Sequence, residues 1–193
     1  WRCICDRRTF KGVIMAKIMK CIAGISSILC VLFWLMNNIL SGDIWRTLAI
    51  TFTTISYHFC MRLFVGFAYD RVMNNKADYL RAWFQVSDTE NRIYRFLKVK
   101  KWKRKMPTYD PDVFSPEKHT WDEIAQAMCQ SELVHETNVV LSFVPVIWTI
   151  WWDSLWVYIL TSICAAAFDM IFVIMQRYNR PRILRLAKTD RFT

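Results

Sequence analysis

Six polar side chains stand inside or at the edge of long apolar stretches, where an ionisable group needs either a partner or a task. They are His58, Arg62, Glu132, His135, Glu136 and Asp169. A histidine beside a carboxylate can act as a general base, because the carboxylate fixes the ring tautomer and stabilises the protonated ring. The residue types therefore indicate acid–base chemistry, with His135 as the base and Glu132 or Glu136 as the carboxylate that orients it.

Each of these groups also has a purely structural interpretation. Arg62 can extend its head group to the membrane surface, while His58 fills a packing position one helical turn away. Residues 132–136 can form the polar cap of a helix at the membrane surface. Asp169 needs a counter-charge, which Arg62 or a protonated His58 can supply.

A basic and aromatic run near the end of the chain has the residue types that bind phosphate or carboxylate. Residues 176–182 read QRYNRPR, and arginine holds such oxyanions through paired N–H bonds. We expect Pro181 to end the helix there. An ordinary positive flank of a membrane span is the alternative. The candidate anion-binding residues are Gln176, Arg177, Tyr178, Asn179, Arg180 and Arg182, with Lys101 and Lys103 from the run VKKWKRK at 99–105.

Four apolar stretches are long enough to hold these side chains in a membrane, since about 20 apolar residues cross roughly 30 Å of hydrocarbon as a helix. We predict an all-α, polytopic membrane protein with four transmembrane helices. The spans are at about residues 21–40, 48–68, 133–152 and 155–175, with a tight turn at residues 41–43. The first stretch could instead be a signal peptide, but no small-residue cleavage site follows it.

The basic residues predict the orientation of the spans. Of the 26 lysines and arginines, all but Arg46 and Arg62 lie in residues 1–20, 71–132 and 177–193. Because cytoplasmic loops carry the excess of Lys and Arg, we expect a multi-pass protein of the cell membrane with both termini in the cytoplasm. The segment between the second and third spans, about residues 69–131, then also faces the cytoplasm.

This middle segment is predicted to be helical and to lie against the membrane, because it mixes aromatic and basic residues as interfacial helices do. Residues 120–123, TWDE, form a capping box that starts a helix running into the third span. Anionic phospholipid head groups are therefore expected partners, and nucleic acid is not.

Two further expectations concern the cysteines and the start of the chain. Cys3 and Cys5 form a lone close pair, and metal ligation by Glu132 and His135 lacks a third ligand, so no metal site is predicted. Met15 begins MAKIMK, which looks like a translation start. We therefore interpret residues 1–14 as upstream translation or a fragment edge, outside the native chain.

Three sequence blocks resemble the glycosyl-4,4'-diaponeurosporenoate acyltransferase family of staphyloxanthin-type carotenoid biosynthesis in bacteria. They are VKKWKRK at 99–105, AMCQSELVH at 127–135 with LSFVPV at 141–146, and QRYNRPR at 176–182, in family order over roughly residues 95–186. The resemblance implies a membrane enzyme that esterifies the sugar 6-hydroxyl of a glycosylated carotenoid with a fatty acyl group. It matches Glu132 and His135 to a family Glu-x-x-His, and Arg177, Asn179, Arg180 and Arg182 to its terminal motif.

We therefore expect acyl transfer at the cytoplasmic face, from an acyl-CoA-like donor to a hydroxyl of a lipid or glycolipid acceptor. His135 would take the hydroxyl proton and Arg62 would polarise the thioester carbonyl, while the two basic runs hold the donor phosphates. No cofactor is predicted apart from this co-substrate.

Two alternatives stay open. One is another small lipid-modifying transferase, although only four glycines and no glycine-rich nucleotide loop are present. The other is a non-catalytic membrane protein whose basic segment binds anionic lipid or a partner complex. The sequence gives no prediction of the oligomeric state.

Overall fold

The computed structural model describes residues 2–103, 112–152 and 155–190, with side chains over 14–103, 112–152 and 155–189. Within these ranges the protein is all-α, as predicted, and Arg104 and Lys105 of the basic run lie outside them. The α-helices are α1 (Arg2–Leu40), α2 (Asp43–Met73), α3 (Asp88–Phe96), α4 (Val99–Trp102), α5 (Trp121–Leu141) and α6 (Leu155–Asp190). Short 3-10 helices lie at Ala82–Phe84, Asp112–Phe114 and Val144–Ile150.

Four segments of the described chain are long and apolar enough to cross a membrane, which agrees with the predicted number of spans. They are Ile14–Leu40, Asp43–Met73, Trp121–Ile150 and Leu155–Thr189. Each is longer than the predicted span, because the helix continues past the apolar stretch into polar sequence. Ile28, Ile39 and Phe64 are among the exposed apolar side chains on these helices. Such a surface suits lipid tails, and the chain is a helical membrane protein.

α1 and α2 form a helical hairpin joined by the predicted tight turn, in which Ser41 has a left-handed backbone conformation (φ 45°). Ser27 Oγ lies 2.7 Å from Ser56 Oγ, and Trp34 Nε1 donates to Thr53 Oγ1 at 2.9 Å. Small hydroxyl side chains let two membrane helices approach closely and bond to each other where no water competes.

α5 begins at a capping box, which confirms that prediction. Thr120 Oγ1 accepts from the Glu123 N–H at 3.3 Å, and the Glu123 carboxylate accepts from the Thr120 N–H at 2.8 Å. The predicted third span, in contrast, is not one continuous α-helix. α5 ends at Leu141, and a 3-10 helix follows from Val144. Pro145 accounts for the break, because it has no N–H to donate and disfavours helical geometry in the residue before it.

α6 departs from the prediction at Pro181, which lies inside the helix instead of ending it. The proline nitrogen has no hydrogen to offer the carbonyl of Arg177, a loss that costs about 3 kcal/mol in a helix interior. Arg180 and Ala187, on either side of the proline, are both buried. Arg180, directly before the proline, binds Glu132 and the Phe84 carbonyl and so holds α6 against the rest of the protein at this point.

The inner faces of α2, α5 and α6 meet along the bundle. The Tyr57 hydroxyl donates to the Leu141 carbonyl at 2.9 Å, and the Tyr69 hydroxyl lies 2.9 Å from Thr137 Oγ1. These bonds join α2 to α5 at two levels, and they bring the predicted polar residues of three helices into one region.

The middle segment folds over one end of this bundle. Ala77, Phe84 and Cys129 form a small buried core beneath it. α3 begins at a second capping box, made by Ser87 and Glu90. This helix is short and could not hold itself together alone, so its position depends on contacts with α6 described below.

Removing the first capping box gives a test of this fold. Thr120→Ala is expected to lower the free energy of unfolding by about 1 kcal/mol, because the Glu123 N–H loses its acceptor. Denaturant unfolding of the detergent-solubilised protein measures it. Thr47→Ala is the matched control, because the Thr47 hydroxyl donates a hydrogen bond to the Asp43 carbonyl of its own helix and caps no backbone N–H of the described chain. An effect no larger than that of the control would contradict the capping role.

Candidate active site

Asp169 on α6 is the centre of a buried polar cluster that joins three helices. Its side chain is 1% exposed. His135 Nδ1 on α5 lies 2.9 Å from Oδ1, Asn138 Nδ2 donates to the same oxygen at 3.3 Å, and Arg62 of α2 donates to Oδ2 at 2.5 Å. Both carboxylate oxygens are therefore engaged, and the ion pair with Arg62 offsets the cost of placing Asp169 inside the bundle.

The geometry assigns a proton to Nδ1 of His135, because the facing Asp169 oxygen is an acceptor. Nε2 then carries the lone pair that a general base requires. The ring stacks on Phe172, with 4.7 Å between ring centroids and an angle of 11°. The His135 side chain is 22% exposed. His135 is thus fixed in tautomer and orientation but still open to a substrate.

The carboxylate that orients His135 is Asp169, where the sequence analysis expected Glu132 or Glu136. Glu132 is fully buried and binds Arg177 at 2.6 Å and also Arg180. The reason lies in the helix geometry: residues 132 and 135 share a helix, but Asp169 approaches the ring from the facing helix.

Glu136 lies at the edge of the cluster rather than beside the histidine ring. It accepts from Trp83 Nε1 at 2.9 Å, and Arg177 lies 3.9 Å away. Its contacts are with the middle segment, so neither predicted glutamate is placed to orient His135.

Arg62 is also placed differently from the expected role at a thioester carbonyl. In addition to Asp169, it donates to the His58 carbonyl at 2.8 Å and to the Ala165 carbonyl at 3.1 Å. Its guanidinium is occupied by three acceptors of the protein itself. The predicted pairing of Arg62 with Asp169 is present, and its role in the geometry is to hold that carboxylate.

A second charged cluster is built on Glu132 and fastens the middle segment to α6. Arg177 NH1 donates to the Trp83 carbonyl at 3.0 Å and NH2 to the Gln85 carbonyl at 3.2 Å. Arg180, 1% exposed, donates to the Phe84 carbonyl as well as to Glu132. These two arginines were predicted to bind an anionic donor, but their donors are directed at groups of the protein.

Glu90 of α3 completes this second cluster, with 2.8 Å between Oε1 and Nε of Arg177. Burial opposes its ionisation, but hydrogen bonds from the Ser87 backbone and from Arg177 outweigh burial and hold the pKa of Glu90 below its ordinary value. The stabilisation from this carboxylate is present above its ordinary pKa of 4.5 and is lost as the pH falls through the lowered value. Burial and then the Glu90 charge raise the pKa of Tyr94 to about 12.

The outer part of the predicted anion site remains together around the ring of Tyr178. Arg182 lies over the ring, 4.2 Å from its centroid, and donates to its hydroxyl at 2.6 Å. Lys103 lies 4.9 Å from the same centroid and bonds to Asn179. Lys101 is exposed on α4. This rim presents two cations and a phenol at the end of the bundle.

Gln176 is a packing residue in this arrangement, because it is buried and donates to Ser131 Oγ at 3.1 Å. His58 is buried and packs against the Tyr57 ring, with 5.5 Å between centroids. Among the described residues, no group of three His, Cys, Asp or Glu side chains could hold a metal ion.

Three residues of the site were not predicted from the sequence: Asn138, Phe172 and Glu90. Asn138 follows His135 by three residues and so shares its helix face, a spacing that could have identified it. The partner of Glu90 is 87 residues away, and no local pattern reports such a contact.

A cavity of about 640 Å³ lies at the other end of the bundle, by the α1–α2 turn. It is lined by Trp34, Asn37, Asn38, Ser41, Gly42, Asp43, Arg46, Trp151 and Trp152. None of the predicted site residues lines it, so the fixed histidine and not this cavity is the candidate for chemistry.

Comparison with known proteins gives one match. The sequence model of the glycosyl-4,4'-diaponeurosporenoate acyltransferase family matches residues 80–189, more than half of the chain. The matched part contains His135, Asp169 and the Glu132 cluster, whereas Arg62 on α2 precedes it. No curated protein and no solved structure matches the chain.

Proposed function

Because this chain belongs to the glycosyl-4,4'-diaponeurosporenoate acyltransferase family, we propose that it moves a fatty acyl group from an activated donor to a hydroxyl of a glycosylated or other lipid acceptor. The family is one of acyltransferases, and the chain is accordingly an enzyme of that class. The observation that carries the proposal is the His135–Asp169 pair, 2.9 Å apart between two membrane helices.

In the proposed reaction His135 removes the proton from the acceptor hydroxyl. The oxygen attacks the carbonyl carbon of the donor thioester, and a new C–O bond forms while Nε2 takes the proton. The tetrahedral intermediate then collapses, the C–S bond breaks, and the imidazolium returns the proton to the leaving thiolate. The products are an ester and a free thiol, so protons and electrons balance without a metal or a redox partner.

Asp169 and Arg62 support this chemistry without touching the substrate. Asp169 keeps the proton on Nδ1 of His135 and stabilises the imidazolium that forms. Arg62 pairs with Asp169 and offsets the cost of burying its charge inside the bundle. Both are positioning residues.

The rim around Tyr178 supports a binding site for the phosphates of an acyl-CoA-like donor. Arg182 is exposed at the end of the bundle and, with Lys103, places two cations around the Tyr178 ring that can attract phosphate oxygens. Arg177 and Arg180 contribute indirectly, since they fix the helix that carries Tyr178. A soluble donor must reach this rim from the cytoplasm, so both termini belong on that side, as the positive-inside pattern favours.

Arg182→Glu is expected to raise the KM for a long-chain acyl-CoA about tenfold and to leave kcat nearly unchanged, because it replaces an attractive charge at the rim with a repulsive one. Steady-state acyl transfer in lipid nanodiscs measures both constants. Arg185→Glu, one turn further along α6 on an exposed position, makes the same charge change and serves as the control. Equal KM values for the two variants would contradict the assignment of the rim to the donor.

Lipid mass spectrometry tests the function as a whole. Membranes of cells that express the chain are compared with membranes of cells that do not, with glycosyl-4,4'-diaponeurosporenoate supplied to both. The expected product is heavier by one fatty acyl group and is present only with the chain. Identical lipid profiles, with the protein present in the membrane, would show that the protein does not transfer an acyl group to this acceptor.

A second candidate function is non-catalytic binding of anionic phospholipid. It is supported by α3, whose exposed Phe96 and Ile93 stand beside Arg92 and Arg95, a combination typical of interfacial helices. Unchanged lipid profiles together with binding to vesicles that contain phosphatidylglycerol would favour this function.

A further inference from the structure

Four buried side chains of the bundle carry polar atoms without a hydrogen-bond partner among the described residues. The unpaired atoms are the two ring nitrogens of His58, the amide oxygen of Asn138, and the hydroxyl oxygens of Tyr158 and Ser162. Each of these residues is no more than 7% exposed. An unpaired buried polar group costs about 1–3 kcal/mol, and lipid tails provide no partner. Several such groups in one membrane bundle therefore indicate a ligand that forms hydrogen bonds with them.

These groups continue the Asp169 cluster toward the end of the bundle that carries the α1–α2 turn. Asn138 Nδ2 donates to Asp169 at 3.3 Å, so its free amide oxygen lies beside the catalytic pair. Ser162 and Tyr158 precede Asp169 on α6 by seven and eleven residues. This spacing places all three on one face of the helix, over a length of about 16 Å.

α2 encloses this polar stripe from the facing side. Arg62 donates to the His58 carbonyl at 2.8 Å and to Asp169 at 2.5 Å, which places His58 one turn from the ion pair. At the far end the ring of Trp148 packs edge-on against Tyr158, with 6.2 Å between centroids. The stripe thus begins at Asp169, beside His135, and ends at the aromatic ring of Trp148.

We propose that this stripe of His58, Asn138, Ser162 and Tyr158 binds hydroxyl groups of the acceptor, which therefore approaches His135 from inside the bundle. The inference rests on the proposed function and names the part of the acceptor that the site recognises. The unpaired atoms belong to an amide acceptor, an imidazole and two hydroxyls. A neutral alcohol matches them, because it donates and accepts at the same oxygen. An anionic group would be repelled by Asp169.

Water has the same hydrogen-bonding chemistry, so the experiment must separate it from the acceptor. Two uncharged probes that differ in their hydroxyl groups do so: glycosyl-4,4'-diaponeurosporenoate and the sugar-free methyl ester of 4,4'-diaponeurosporenoate. Each is titrated into nanodiscs that contain the full chain, without an acyl donor. Binding is followed by the quenching of tryptophan fluorescence by the polyene.

The test variant is Ser162→Ala with Tyr158→Phe, which removes two hydroxyls and little else. Thr161→Val is the control, because it removes a neighbouring hydroxyl that already bonds to the Val157 carbonyl. We expect the double variant to bind the glycosylated probe at least about tenfold more weakly, since it loses two hydrogen bonds. Its affinity for the sugar-free probe, and both affinities of the control, should be unchanged.

Affinities of the double variant equal to those of the unmodified chain would overturn the proposal and leave the stripe as a site for water only. If the double variant does not fold, His58→Phe is used, with the same expected pattern. Failure of the proposed function gives a different result, namely normal sugar-dependent binding without transfer of an acyl group. If the unmodified chain transfers the acyl group normally and the double variant and the Thr161→Val control both bind the probes as the unmodified chain does, only the acceptor-binding role of the stripe is wrong.

Discussion

His135→Ala lowers kcat for acyl transfer by about 10² to 10⁴-fold, the usual contribution of a positioned general base. The expected reason is that no other group at this position can take the proton from the acceptor hydroxyl. The measurement is single-turnover transfer of a labelled acyl group in nanodiscs, with the variant first shown to be folded by circular dichroism.

His119 provides the matched control for this experiment. It is a histidine of the same chain, partly exposed just before the start of α5 and 3.6 Å from Glu123. His119→Ala is expected to keep full activity. If folded His135→Ala protein is as active as this control, the acid–base scheme is wrong.

Asp169→Asn distinguishes a positioning role from a merely structural one. The amide cannot stabilise the imidazolium, so kcat should fall by a similar order while the KM for the donor changes little. Asp169→Glu, which keeps a carboxylate, should retain more of kcat than Asp169→Asn. Equal losses of kcat in the two variants would indicate that Asp169 only holds the helices together.

Glu132→Gln is expected to have the largest effect on stability, about 3–5 kcal/mol. The substitution preserves the shape of the side chain but leaves the buried guanidinium of Arg180 without a counter-charge. Chemical denaturation in detergent, followed by circular dichroism, measures the loss. Detachment of the middle segment should accompany it, since Arg180 also binds the Phe84 carbonyl.

The control for this prediction is an exposed ion pair of the same segment. Arg81 and Asp78 lie 3.9 Å apart with both side chains largely in solvent, and such pairs contribute about 0–1 kcal/mol. Arg81→Ala should therefore change the unfolding free energy little. Equal losses for Glu132→Gln and Arg81→Ala would contradict the buried character of the Glu132 cluster.

The helices themselves could be predicted because hydrophobic length is a local property of the chain. Each span follows from an apolar stretch, and the start of α5 follows from the capping box at Thr120. The two prolines show that local sequence does not predict whether a proline ends its helix. Pro145 breaks its helix, whereas Pro181 does not. Arg180, the neighbour of Pro181, is held by buried contacts with residues far away in the sequence, which no local pattern can predict.

The candidate site could be predicted in composition but not in pairing. The cost of a charge in a membrane identifies His135, Asp169, Arg62 and Glu132 as residues that need partners. Which carboxylate faces which base depends on how three helices are rotated about their axes. From the sequence, Glu132 or Glu136 was therefore expected beside the histidine of the same helix, whereas the packing pairs Glu132 with two arginines of α6.

The ion pair between Arg62 and Asp169 also has a consequence for how the protein is made. Its members are 107 residues apart, so α2 leaves the ribosome before its counter-charge has been translated. At about 5 to 20 residues per second, the delay is about 5 to 20 s. Until then Arg62 must hold its charge at the lipid head groups or in the insertion machinery. The arrival of α6 allows Arg62 to enter the bundle, so the pairing couples the completion of synthesis to the closing of the site.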